Sequence, residues 1–92
     1  YIKKKKKIAE VKFKQGYIED AIIMQQQIID VRKNIHWGSL DDATSLRLMA
    51  TYCLANKKYD NTIKLAIECT NMISNIVLNT FGNVKIDKQA IY

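Results

Sequence analysis

Apolar residues recur along much of the chain at intervals of three and four residues, which is the spacing of one face of an α-helix. Sustained alternation of apolar and polar residues, the pattern of a half-buried β-strand, is not found. Proline is absent and glycine occurs three times, so few residues interrupt a helix. The pattern therefore predicts an all-α protein with four helices, at about residues 2–15, 18–34, 40–56 and 59–80. Residues 86–92 resemble the start of a fifth helix.

The apolar positions of the last two predicted helices define the expected core. On the third helix they are Ala43, Leu46, Met49, Ala50, Cys53 and Leu54. On the fourth helix they are Ile63, Ala66, Ile67, Thr70, Ile73 and Val77. Each set lies on one helical face, so we expect both faces to be buried. Ser39 followed three residues later by Asp42 is similar to a capping box, which predicts that the third helix begins at residue 40.

Two of the predicted links, at Gly16 and at residues 57–58, are only two or three residues long. Links this short make the helices that they join antiparallel neighbours. We therefore expect two antiparallel helical hairpins, over residues 8–34 and 40–80, in a single domain that spans the chain. The link between the hairpins, residues 35–39, is longer and contains the only tryptophan.

The two predicted hairpins align with each other at an offset of 41 residues, at which Ala9 falls on Ala50. Helical hairpins with a period of about 34 to 45 residues are typical of α-solenoids. Residues 14–22 (KQGYIEDAI) resemble the mid-repeat turn of the tetratricopeptide repeat, in which a glycine, an aromatic residue, two acids and an alanine occur in that order. Residues 56–63 (NKKYDNTI) resemble the same turn with the glycine and the alanine replaced.

The resemblance covers residues 8–81 and implies tetratricopeptide-like hairpins that bind a partner protein or peptide. Small residues then let the two helices of a hairpin approach closely, and Tyr59 is expected to fill the space between them. The chain departs from the family at Lys5 and Leu46, where the family has tryptophan, and it lacks the closing proline. A plain four-helix bundle is the alternative for the same apolar pattern.

Long helices and the 41-residue offset are also similar to two subtypes of this family. Residues 35–44 resemble the inter-repeat link of kinesin-light-chain-like repeats. Residues 49–81 resemble the central hairpin of the C-terminal helical domain of SET-MYND lysine methyltransferases, which also has a lysine-rich first helix. This second resemblance implies an alternative function, as the helical C-terminal region of a SET-type lysine methyltransferase without methyl-donor or lysine-binding residues of its own. It leaves open whether the chain belongs to an enzyme.

The formal net charge of +6 is confined to the start of the chain. Seven lysines against Glu10 give residues 1–14 a net charge of +6, and the rest of the chain is neutral. This distribution argues against a nucleic-acid-binding surface over the whole chain. We expect a nucleic acid or membrane partner only through a run of five lysines, which is also compatible with a nuclear-import signal, a phosphate-binding tail or a solvated helix start. This basic patch consists of Lys3, Lys4, Lys5, Lys6 and Lys7.

Few residues have the chemistry of a catalytic or metal site. Cys53 and Cys69 are expected to pack in the core as free thiols, with a disulfide between adjacent helices as the alternative. His36 has neither a second histidine nor a close cysteine pair with which to bind zinc. We therefore expect no catalytic residue, no metal and no cofactor, and a reducing intracellular location, either cytoplasmic or nuclear. The apolar runs are too short to span a bilayer.

Partner-binding residues are implied by the family geometry, in which the first helix of each hairpin lines a concave groove. On these helices the candidates are Lys12, Arg47 and Thr51, and the two cations could bind acidic side chains or a C-terminal carboxylate. Trp37 is either a lid on the core or an exposed partner anchor. Polar uncharged side chains that could bond a peptide backbone are Gln25, Gln26, Gln27, Asn71, Ser74 and Asn75.

The chain begins at Tyr1 and ends inside a helix-like pattern, so we expect it to be a piece of a larger protein. Two hairpins are fewer than solenoids usually need for stability. We therefore expect the exposed hairpin ends to pack on further parts of that protein or on a second copy of the chain.

Overall fold

The computed structural model describes residues 2–82, which form four α-helices: α1 (Ile2–Lys14), α2 (Ile18–Ile35), α3 (Leu40–Ala55) and α4 (Tyr59–Phe81). These residues contain no strand, so the prediction of an all-α fold is confirmed. Most of the helices begin and end within one residue of the predicted positions. The expected fifth helix at residues 86–92 lies outside the described residues. Each helix packs mainly on the next along the chain, α1 on α2, α2 on α3 and α3 on α4.

The links at Gly16 and Lys57 have the same backbone geometry. Both residues have a positive φ, 91° at Gly16 and 59° at Lys57. In both turns the next residue donates a backbone hydrogen bond of 2.9 Å to the carbonyl five residues earlier. This arrangement is the Schellman motif, in which a left-handed residue ends a helix. The two turns are 41 residues apart, so the offset found in the sequence is also present in the backbone.

α3 is the central helix, because its buried side chains belong to two core clusters. The smaller cluster joins α3 to α1 and α2 through Ala9, Ala21 and Tyr52. Within it the Tyr52 ring lies on the Phe13 ring, with 4.6 Å between centroids. The larger cluster lies between α2, α3 and α4 and contains Ile29, Ala43, Leu46, Met49, Cys53 and Met72.

The predicted core face of α4 is wrong. Ile63 and Ile67 are 57% and 56% exposed, and Ile73 and Val77 are 42% and 47% exposed. Both the predicted face and the packed face repeat at helical spacing, so the apolar pattern alone could not distinguish the face that contacts the core. The apolar side chains that α4 packs against the larger cluster are Leu65, Cys69, Met72 and Ile76.

Two single-residue expectations are also corrected. Tyr59 does not fill the space between helices, since it is 57% exposed. It is the first residue of α4 and lies one turn before Ile63, on the side of the helix that does not contact α3. Leu54 is 53% exposed, because it lies on the outer face of α3 with Arg47 and Thr51.

One buried carboxylate fixes the link between α2 and α3. Asp42 is 1% exposed and forms the predicted capping box with Ser39, so the predicted start of α3 is confirmed. Its oxygens also accept hydrogen bonds from the Gly38 amide at 2.8 Å and from the Arg32 guanidinium at 2.9 Å. Asp42 therefore ties the end of α2 and the link to the first turn of α3.

Candidate functional site

An open groove of about 780 Å³ lies where α2, α3 and α4 meet. Its floor is apolar and includes Ile22 from α2, Met49 and Cys53 from α3, and Leu65 from α4. These side chains are buried or half-buried in the larger core cluster, so the floor is part of the packed interior of the protein.

The rim of the groove is polar and carries both hydrogen-bond donors and acceptors. Four side-chain amides lie along it, from Gln26 and Gln27 on α2, Asn56 after α3 and Asn61 on α4. Only the first of these is bonded to another side chain, through a hydrogen bond of 2.9 Å to Asp30, so the other three amides have no side-chain partner within residues 2–82. Unpaired amides beside an apolar floor can bond the backbone of an extended chain.

The charged side chains at the groove are unbalanced. Lys58 and Lys64 lie at its α4 wall, and Glu19 lies at its α2 wall. All three side chains are exposed. The exposed charge at the groove is therefore positive on the α4 side and negative on the α2 side.

The structure does not bring the predicted partner-binding residues together at this groove. The Lys12 ammonium is 3.9 Å from a carboxylate oxygen of Asp20 and 5.5 Å from the centre of the Tyr17 ring. Arg47 and Thr51 are one turn apart on the exposed outer face of α3. Lys12 therefore belongs to the first link, whereas the other two residues form a separate surface.

Trp37 lies on the core. It is half-buried and packs against the larger cluster, and the Lys33 ammonium lies 5.2 Å from the centre of its ring. This position corresponds to the first of its two predicted roles, a lid over the packed side chains, and leaves part of the ring accessible to a partner.

The basic patch lies within helix α1. Lys5 and Lys6 are half-buried, while Lys3, Lys4 and Lys7 are exposed. Five consecutive residues point around the whole helix, so the patch is a band of positive charge around the first turns of α1 and not a flat surface.

Cys53 and Cys69 both have free thiols. Burial raises the pKa of the Cys53 thiol above its ordinary value of 9.0, although the nearby Lys58 ammonium acts in the opposite direction. The Cys69 thiol donates a hydrogen bond of 3.3 Å to the Ala43 carbonyl. The Cys53 thiol therefore lacks the lowered pKa of an activated nucleophile, and at the groove it is part of the packed apolar floor.

We expect Cys53 to react slowly with iodoacetamide in the folded protein, because the reacting species is the thiolate and this thiol is 3% exposed. Its labelling rate, followed by mass spectrometry at constant pH, should be at least about tenfold lower than in the same chain unfolded by urea. Equal rates in the two states would contradict the buried position of this thiol.

Sequence reasoning identified part of the groove. Gln26 and Gln27 are among the polar, uncharged side chains that the sequence offers for bonding a peptide backbone. The sequence does not identify the apolar floor as a ligand-facing surface. Apolar spacing predicts which residues are buried, but not whether a groove opens onto them. The sequence also does not show that Lys58 and Lys64 line the groove, since this depends on how α4 lies relative to α2.

Comparison with known proteins gives no family for the chain. No protein-family model, curated protein or solved structure matches it. Within residues 2–82 no helix has the length and apolar character needed to cross a membrane. The same part of the chain contains no group of three or more side chains that could hold a metal ion.

Proposed function

We propose that the chain is a non-catalytic protein-interaction module that binds an extended peptide segment of a partner protein in the groove between α2, α3 and α4. The observation that carries this proposal is the combination of an apolar floor, Ile22, Met49, Cys53 and Leu65, with a rim of amide side chains. The floor would receive apolar side chains of the peptide, and the free amides of Gln27 and Asn61 would bond its backbone.

The proposed architecture is a pair of tetratricopeptide-like hairpins, α1–α2 and α3–α4, each with antiparallel helices. The matching Schellman turns at Gly16 and Lys57 support it, because they place the same helix ending at the same point of each hairpin. In this arrangement α1 and α3 are the first helices. The groove lies toward the second helices α2 and α4, which separates it from the surface that the family geometry implies for Arg47 and Thr51.

The proposed ligand has alternating apolar side chains and an acidic group near the end that meets α4. Alternation follows from extended backbone geometry, in which every second side chain points to the same side. The acidic group follows from Lys58 and Lys64, which outnumber Glu19 at the groove. Because these charges are exposed, we expect them to influence ligand choice more than affinity.

The test is selection of binders from a displayed random peptide library, followed by affinity measurement by fluorescence anisotropy. Ile23 lines the groove and is 57% exposed, so Ile23→Glu places a carboxylate there without disturbing the core. We expect this substitution to weaken binding of selected peptides at least about tenfold. The matched control is Arg47→Glu, on the outer face of α3, which should leave affinity unchanged.

The reverse result would overturn the groove as the binding site. If Arg47→Glu and Lys12→Glu weaken binding while Ile23→Glu does not, the partner binds the first helices. Selection that returns no peptide above the background of an unrelated helical scaffold would contradict the proposed function itself.

A further inference from the structure

We infer that α4 is an interface between two copies of this chain, which pair through an antiparallel contact of their α4 helices. The inference does not depend on the peptide-binding groove. It rests on a second apolar seam along α4, which the fold leaves exposed. This free seam consists of Tyr59, Ile63, Ala66, Thr70, Ile73 and Val77.

The spacing of the free seam is that of a helix-pairing surface. Its residues follow one another at intervals of four, three, four, three and four, which is the heptad pattern of a seam between two helices. The occupied seam of α4, Leu65, Cys69, Met72 and Ile76, has the same kind of spacing and packs against the larger cluster. α4 therefore has two helix-pairing seams, of which the described fold covers one.

The free seam is exposed along its whole length, and all of its residues except Thr70 are apolar. Tyr59 and Ile63 are each 57% exposed, and Ala66 and Thr70 at the middle are also exposed. Phe81, one turn beyond Val77 on the same side of the helix, is 52% exposed. The seam extends over about 27 Å of helix at the usual rise of 1.5 Å per residue. A contiguous apolar strip of this length on a protein surface marks an interaction site.

The order of side chains along the seam matches a second copy of itself. In an antiparallel pair with its two-fold axis level with residue 68, Tyr59 of one copy meets Val77 of the other, and Ile63 meets Ile73. At the centre Ala66 meets Thr70, so small residues face small residues. Large side chains thus meet large ones at the ends, while the centre allows the two backbones to approach closely.

The charge distribution also favours a second copy. The free seam contains no charged residue, and the charged residues of α4, Asp60, Lys64 and Glu68, lie on a different face. The six excess positive charges belong to residues 1–14, and α1 packs on α2 while α4 packs on α3. Pairing through α4 therefore requires neither burial of a charge nor contact between two basic patches.

The expected dimer is weak. Specific complexes bury roughly 800 Å² of accessible surface on each partner, and contact between two single helices buries less than that. We therefore expect a dissociation constant of roughly 10 to 100 µM, which sedimentation equilibrium of the full chain, residues 1–92, can measure.

The experiment introduces opposite charges at two positions that face each other across the two-fold axis. Ile63→Lys and Ile73→Glu each place a charge in the seam, and each alone should weaken dimerisation at least about tenfold. Because residues 63 and 73 are about 15 Å apart along one helix, the two new charges cannot pair within one copy. In an antiparallel dimer they meet across the interface, so the double variant should recover most of the lost association.

Matched controls place the same charges on the polar face of α4, as Asn71→Lys and Asn75→Glu. Both residues are exposed, so these variants should dimerise as the wild type does. Circular dichroism spectra checked for all variants should be unchanged, since every substituted side chain is at least 42% exposed or belongs to the polar face. A wild-type chain that stays monomeric throughout the concentration range, or a dimer that tolerates Ile63→Lys, would overturn the inference. Failure of the double variant to recover association would overturn the antiparallel register.

Discussion

Replacing Asp42 by alanine is expected to lower the free energy of unfolding by about 3 to 5 kcal/mol. The carboxylate is buried and accepts hydrogen bonds from the Ser39 amide at 2.9 Å, the Ser39 hydroxyl at 3.0 Å, the Gly38 amide at 2.8 Å and Arg32 at 2.9 Å. Its removal leaves these donors without their acceptor. It also leaves the guanidinium, whose Nε has no hydrogen-bond partner within residues 2–82, without its buried counter-ion.

The measurement is urea unfolding followed by circular dichroism, with Asp41→Ala as the matched control. Asp41 is the neighbouring acid in the same first turn of α3, but its side chain is exposed. Its loss removes only the favourable interaction with the helix dipole, about 0.3 to 1 kcal/mol. If Asp42→Ala lowers the free energy of unfolding no more than Asp41→Ala does, the hydrogen bonds of Asp42 do not stabilise the link between α2 and α3.

The pH dependence of stability gives an independent check on the same carboxylate. Burial acts to raise the pKa of Asp42, but hydrogen bonds from Ser39, Gly38 and Arg32 outweigh it, so the pKa lies below its ordinary value of 3.8. A lowered pKa in the folded state means that the network stabilises the protein above about pH 4 and that this contribution is lost as the pH falls through the lowered value. The difference in stability between the wild type and Asp42→Asn should therefore shrink below about pH 4.

The elements of this fold could be predicted from sequence because their signals are local. The capping box at Ser39 and Asp42 and the turn at Gly16 each depend on residues a few positions apart. The turn at Lys57 is predicted by the short gap between two helical patterns, although lysine is an unusual residue for a positive φ. Helix ends and links can therefore be predicted without any tertiary contact.

The face of α4 that packs on the core could not be predicted from the sequence, because the signal there is not local. The apolar residues of α4 cover two faces, and the apolar pattern favours Ile63, Ile67 and Ile73, whereas the fold packs Leu65 and Met72 against the core. Both faces satisfy helical periodicity, and only the position of α3 decides between them. The same limit applies to the candidate groove, whose walls on α2 and α4 are distant in sequence and meet only through the tertiary arrangement.

Substitution of Gln25 is expected to change the free energy of unfolding by a large amount. Whether the change is a loss or a gain depends on the residue introduced. The side chain is fully buried on the packed face of α2, and its amide nitrogen donates a hydrogen bond of 2.9 Å to the Ser45 carbonyl. Its amide oxygen is buried without a hydrogen-bond partner within residues 2–82. Gln25→Ala should lower the free energy of unfolding by about 2 to 3 kcal/mol, because it leaves a cavity between α2 and α3.

Gln25→Met, in contrast, is expected to raise the free energy of unfolding by about 1 kcal/mol. Methionine has a similar length and flexibility, so it fills the same space and removes the unpaired oxygen. The lost hydrogen bond costs little, because the Ser45 carbonyl lies within α3 and keeps its helical partner. Urea unfolding of the two variants under identical conditions measures both changes. A methionine variant as unstable as the alanine variant would mean that the hydrogen bond to Ser45 contributes more than the unpaired oxygen costs.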